Sequence, residues 1–170
     1  MKTTLGIIAL CAVATASSLS FAADGDLSKM DQTFVMKASG AGMYEVEISK
    51  IAVDKASDPA VKEFAQTMVS DHTKANDELK QFADTHNAKL APGVPKEKQA
   101  VIAKMAKLSG ARFDKAYHDQ VGIKDHKTDI ALFEKEIKSG GNADLKAWAD
   151  KTLPTLKTHL QHAQDMKPAS

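Results

Sequence analysis

From Ser28 onward, the apolar residues of this chain return every third or fourth position, and they do so in four long runs. That period belongs to a helix with one buried face, not to a strand, whose side chains alternate between two faces. No alternating run and no paired hairpin-turn signal breaks the pattern. The chain is therefore expected to be all-α. Each run must then be covered by other helices, because a single apolar stripe is not stable in water.

Local signals divide the runs. Ser28 with Asp31 three residues on resembles a capping box and opens a first helix over residues 28–56, with Phe34, Ala38, Ala41, Glu45, Ile48 and Ala52 on its stripe. Asp58-Pro59 is a cap followed by proline at the first helical position, so a second helix runs over 58–86 through Val61, Ala65, Met68, His72, Ala75, Leu79 and Phe82. Pro92, Gly93 and Pro95 mark a connection, and a short amphipathic helix follows over 97–108. A third long helix is expected over 111–138, with Phe113, Ala116, Gln120, Ile123, His126, Ile130, Phe133 and Ile137. Ser139-Gly140-Gly141 stops it, and Asn142 caps a fourth, on which Leu145, Ala149, Thr152, Leu156, His159, Ala163 and Met166 share a face. Pro154 lies inside that last helix and predicts a kink there, or a break with Thr152 as a new cap.

Tight links make helices one and two antiparallel, and likewise three and four. The link between two and three holds about two dozen residues. At ~3.3 Å per extended residue it is long enough to return along the bundle. The fold expected is a ferritin-like four-helix bundle with a short extra helix in the helix 2–3 connection.

The first residues read differently. Lys2 and the apolar stretch 5–16, too short to cross a bilayer, precede the small-residue pattern Ser20-Phe21-Ala22. Residues 1–22 are expected to be a cleaved Sec-type signal peptide, which implies a periplasmic protein. Residues 23–170 form the bundle domain. The single cysteine, Cys11, falls inside the signal and follows Leu10 rather than a small residue, which argues against a lipoprotein site. The mature chain then has no disulfide and no catalytic thiol. With 23 basic and 22 acidic side chains over the whole sequence, it shows no excess charge that would suggest nucleic acid. No mature segment is apolar enough for a transmembrane helix.

Each long stripe holds one ionisable residue where a core residue is expected: Glu45, His72, His126 and His159. Counted from their hairpin turns at 1.5 Å per residue, all four fall near mid-height. Buried ionisable groups must satisfy one another or bind something. Three imidazoles and a carboxylate make a first shell for a divalent transition metal such as Zn, Fe, Mn or Cu. The competing reading is a buried hydrogen-bonded layer in which one protonated histidine pairs with Glu45, and Gln120, Thr152 or waters serve the rest. His162, three residues after His159, is a weaker ligand candidate at the stripe edge. Asp71 and Asp125 precede core-phase histidines but are turned about 100° away, which suits a surface or supporting role. No nucleophile elbow or phosphate loop is present. The Glu-x-x-His pair of a di-iron centre is also missing, so binding is expected rather than catalysis.

Three stretches carry a family resemblance: "YEVEISKIAVDKASDPAVKEFAQTMVSDHTKANDEL", "FDKAYHDQVGIKDHKTDIALFEKE" and "LPTLKTHLQHAQ". They resemble the domain-of-unknown-function family 4142, exported bacterial proteins with a ferritin-like helical bundle. The likeness spans roughly residues 31–164, and the family pattern includes the positions of Glu45, His72, His126 and His159. The resemblance implies fold and compartment, and it favours a shared Glu/His site without naming a metal. Some members carry an outer-membrane label, but nothing in this mature chain reads as a membrane-spanning helix or barrel. The functional expectation is an exported bundle that binds a divalent transition metal at Glu45, His72, His126 and His159. The alternative is a non-enzymatic envelope or stress module whose polar layer serves only the core. A homodimer is compatible with either, and no protein partner is indicated.

Overall fold

A computed structural model describes residues 27–167, and among them it contains helices and no strand. The expected signal peptide lies outside the described residues. Helix α1 spans Lys29–Lys55 and α2 spans Pro59–His86. The short α3 spans Lys96–Met105. Helix α4 is continuous through three segments, Gly110–Tyr117, His118–Asp125 and His126–Ser139, and α5 spans Ala143–Asp165.

The caps act as their residue types require. Ser28 accepts from the Asp31 amide while Asp31 returns a bond to the Ser28 amide. Asp58 accepts from Ala60 N at 2.8 Å with Pro59 behind it, and Asn142 accepts from Leu145 N at 2.9 Å. Asn87 ends α2 in the left-handed conformation at φ 51°.

Two apolar clusters fix the topology. At one end Phe34 of α1 packs with Leu79 of α2, Phe133 of α4, and Leu145 and Ala149 of α5. At the other, Ile48 and Ala52 meet Val61 and Phe64, Phe113 and Tyr117, and Ala163 and Met166. Helices α1 and α5 therefore run one way and α2 and α4 the other. Because α2 and α4 are parallel, the chain must cross the bundle's length between them. The crossover is tied along α1. Lys89 exchanges two bonds with the Gln32 side chain, Ala91 N donates to Ser39 Oγ at 2.9 Å, and Lys55 Nζ donates to Ala106 O at 2.7 Å. Buried Asp114 closes the top by accepting from the Ser57 and Asp58 amides.

Two local expectations are corrected. Of the kink or break expected at Pro154, the break is the part overturned: helix α5 runs on through it, and Thr152 is no cap, since its hydroxyl donates to Trp148 O at 2.8 Å within the helix. Both Pro154 and Asp150, whose carbonyl loses its donor, are exposed, so water can serve that carbonyl. In α4, residues His118–Asp125 wind as a π-helix, which inserts residues relative to the α period. The core stripe therefore shifts. Gln120 and Ile123, expected inside, are only half-buried, and Val121 and Gly122 take the core positions. His126, five residues after Val121, returns to the axis. Gly122 lets this stretch approach α5, since a Cβ there would lie 2.8 Å from Ala163 Cβ.

Candidate metal centre

Each long helix brings one polar side chain into a layer between the two apolar clusters. Glu45, His72, His126 and His159 are 2, 5, 0 and 2% exposed. The imidazole centroids are 5.3–5.7 Å apart, and one ring nitrogen from each histidine can be chosen so that all three lie within 4.8 Å of one another. A single ion can bridge such a set.

The hydrogen bonds set the orientation of the rings. His126 Nδ1 lies 2.8 Å from Val121 O, and a carbonyl only accepts, so Nδ1 carries a proton. His159 Nε2 lies 2.9 Å from Asp71 Oδ2, so it donates to that carboxylate. His72 Nδ1 lies 2.9 Å from Glu45 Oε2 and donates to it when Glu45 is ionised. The remaining nitrogens of the neutral rings are lone pairs. His126 Nε2 faces His159 Nδ1 at 3.3 Å, and His72 Nε2 is buried with no protein partner. Two lone pairs at that separation repel unless a proton or a cation joins them.

Burial opposes the proton. It pushes all three histidines down, His72 to about 4, while Asp71 partly restores His159 and Glu45 partly restores His126. Burial also pushes Glu45 up to about 7, with the His126 charge working against it. The pocket therefore disfavours separated charge among its own groups, yet it presents three neutral donors and a carboxylate behind one of them. That arrangement matches the chemistry of a histidine metal site, in which each ligating ring gives its other N–H to an acceptor.

A polar shell supports the layer. Asp125, next to His126, is buried and accepts from Lys98 Nζ at 2.7 Å, Gln120 Nε2 at 2.9 Å and Tyr44 Oη at 3.1 Å. Lys98 also sits 4.4 Å over the Tyr44 ring, so α3 is anchored to the level of the site. Burial and Asp125 hold the Tyr44 hydroxyl protonated, which keeps it a donor.

The structure thus brings the four residues singled out by sequence into one layer and gives them different surroundings. The three histidines converge. Glu45 stands behind His72, with Oε1 3.7 Å from His126 Nδ1 and no hydrogen-bond partner. His162 stays exposed, its ring 5.3 Å from Phe64, and lies outside the cluster. Asp71 is turned away within α2 but reaches across to α5. Sequence reasoning had no means of seeing the Val121 carbonyl, and it missed Asp129, which is pushed well above its usual range by burial and by Glu45.

Fold and site together define a class: an all-α bundle with a crossover connection and three buried histidines converging at mid-height. Residues 16–166 match the family described as Domain of unknown function (DUF4142), and the chain belongs to that family. No curated protein matches it. Two solved structures are similar in fold. A DUF305 protein from Streptomyces coelicolor is 15% identical with a TM-score of 0.68, over 80% of this chain and 89% of that one. A DUF305 fragment from Deinococcus radiodurans is 9% identical with a TM-score of 0.72, over 82% and 95%. No helix among the described residues is long and apolar enough to cross a membrane.

Proposed function

We propose that this protein is an exported metal-binding bundle that holds one divalent transition ion through His72 Nε2, His126 Nε2 and His159 Nδ1. One observation carries the reading: each of the three buried imidazoles has one nitrogen beside an oxygen acceptor, and the three rings can offer nitrogens within 4.8 Å of one another. Imidazole donors suit Zn²⁺ and Cu²⁺ best, with Fe²⁺ and Mn²⁺ as weaker competitors in the usual affinity order. Glu45 acts in this reading as the group that orients His72 and offsets the ion's charge, rather than as a fourth ligand. The signal-like residues 1–22 support a periplasmic location.

The hydrogen-bonded layer is the weaker reading, because it needs a protonated histidine paired with an ionised Glu45, whereas burial pushes all three histidines down and Glu45 up. The test is metal analysis of untagged protein purified from the periplasm, followed by titration of the stripped protein. One ion per chain, lost in both His72→Ala and His126→Ala, is the expected result. Folded wild-type protein that takes up no zinc, copper, iron or manganese overturns the proposal.

A further inference from the structure

The crossover covers one edge of α1, through Gln32 and Ser39. Another edge faces α4, and at the Phe34 end of the bundle the seam between these two helices stays open as a groove of about 440 Å³. That size lies within the range of small-molecule sites. Met30 and Phe34 of α1 and Leu132 of α4 give it an apolar floor. Phe34 is buried and packs edge-on against Phe133, with ring centroids 5.0 Å apart, so the floor is held in place from below.

The charge around that floor has one sign. Lys29, Lys37 and Lys135 join the lining, all three are exposed, and none makes an ion pair among the described residues. By contrast Lys98, Lys151 and Lys157 each hold a carboxylate elsewhere on the bundle. The acid in the lining is Glu136, which is buried and has an unpartnered Oε1. Burial and the neighbouring Asp31 push its carboxyl up to about 7. Three ammonium groups therefore face at most one carboxylate, and the groove is positive throughout the neutral range.

We propose that the α1–α4 groove binds a single-chain amphipathic anion of the fatty-acid class, its hydrocarbon on Met30, Phe34 and Leu132 and its carboxylate among the rim lysines. Lysine suits such a rim, because its methylene stem lies along apolar surface while its ammonium stays in water. Lys29 and Lys37 stand about 12 Å apart along α1, so a chain laid in the groove meets a lysine near either end. A neutral apolar ligand leaves these charges unanswered. A second copy docked symmetrically here would bring the same lysines face to face. The near-balanced charge of the whole sequence gives no extended basic surface for a nucleic acid. The histidine layer plays no part in this site, which stands or falls independently of the metal reading.

Trp148, the single tryptophan of the sequence, lies 6.1 Å from Phe34 between ring centroids and so reports on the groove. The experiment titrates the purified full chain with sodium dodecanoate, below its micelle-forming concentration, and follows Trp148 emission, with equilibrium dialysis giving the stoichiometry. Wild type is expected to show a saturable change at one dodecanoate per chain. The paired charge reversals Lys37→Glu with Lys135→Glu, and Lys29→Glu with Lys135→Glu, alter only exposed positions. Each pair is expected to keep the wild-type melting temperature and to weaken binding roughly tenfold. Dodecanol, the same chain without the charge, is expected to bind weaker by a similar factor. No saturable response in wild type overturns the proposal, as does equal binding of acid and alcohol or an affinity unchanged in both charge-reversed proteins. Adsorption to phosphatidylglycerol vesicles without binding of free dodecanoate also overturns it, and makes this face a membrane-contacting surface instead.

Discussion

His159 lies between two partners, with Nε2 2.9 Å from Asp71 Oδ2 and Nδ1 3.3 Å from His126 Nε2. Asp71 belongs to α2 and His159 to α5, so a half-exposed carboxylate on one hairpin aims a buried imidazole on the other. Asp71→Asn keeps the size of the side chain and a hydrogen-bond acceptor but removes its charge. The expected result is a folded protein that still binds one ion, with affinity lowered about 10- to 100-fold. Competition titration against a chelator of known strength measures it, and unchanged affinity would mean that Asp71 does not orient the ring.

Metal should stabilise the fold by mass action. At a free concentration 100 times Kd the gain is about 2.7 kcal/mol, and at 1,000 times about 4.1 kcal/mol. The melting temperature should rise with metal concentration in wild type and return on adding a chelator. His126→Ala should show neither change.

The metal-free protein should respond to pH through Glu45 and His72 in opposite senses. Glu45 has its folded value raised from 4.5 to about 7, so its contribution is full below the unfolded value and is lost as pH climbs through 7. His72 has its folded value lowered from 6.5 to about 4, so its contribution is full above 6.5 and is lost as pH falls through 4. Glu45→Gln removes only the first effect. Relative to wild type, the metal-free variant should gain stability as pH rises from 4.5 through 7, by roughly 1–3 kcal/mol at the upper end. Urea melts at several pH values test this, and a difference independent of pH would show that Glu45 does not titrate in the fold.

Gly122→Ala should destabilise the protein by about 1–3 kcal/mol, because the new methyl would lie 2.8 Å from Ala163 Cβ where α4 and α5 touch. The π-helical stretch that would move also carries the Val121 carbonyl held by His126. Metal affinity should therefore fall along with melting temperature. A variant of wild-type stability would mean that the two helices can part freely at this level.

Much of this architecture was legible because it is local. Ser28, Asp58 and Asn142 cap helices through atoms two or three residues away, and no distant contact has to be known to predict that. The phase of Glu45, His72 and His159 was legible because α1, α2 and α5 keep a regular period around them. Residues Gln120 and Ile123 were misplaced because nothing in residue type announces a π-helix, and the added residues turn the stripe. At Pro154 the expected break, one of the two outcomes foreseen there, did not occur. The rule that proline breaks a helix concerns an unmet carbonyl, and at an exposed Asp150 solvent meets it. Asp71 shows a third limit: residue phase describes one helix, whereas the partner of Asp71 stands on another.

The first hairpin supplies Glu45 and His72, and the second supplies His126 and His159. Neither half holds all three histidines, and the long crossover joins the two. An ion captured between them would act as a rivet that only a completed assembly can accept. Cargo would then stay out of a half-made molecule, and stripping it should loosen the seam between the halves before it melts either one.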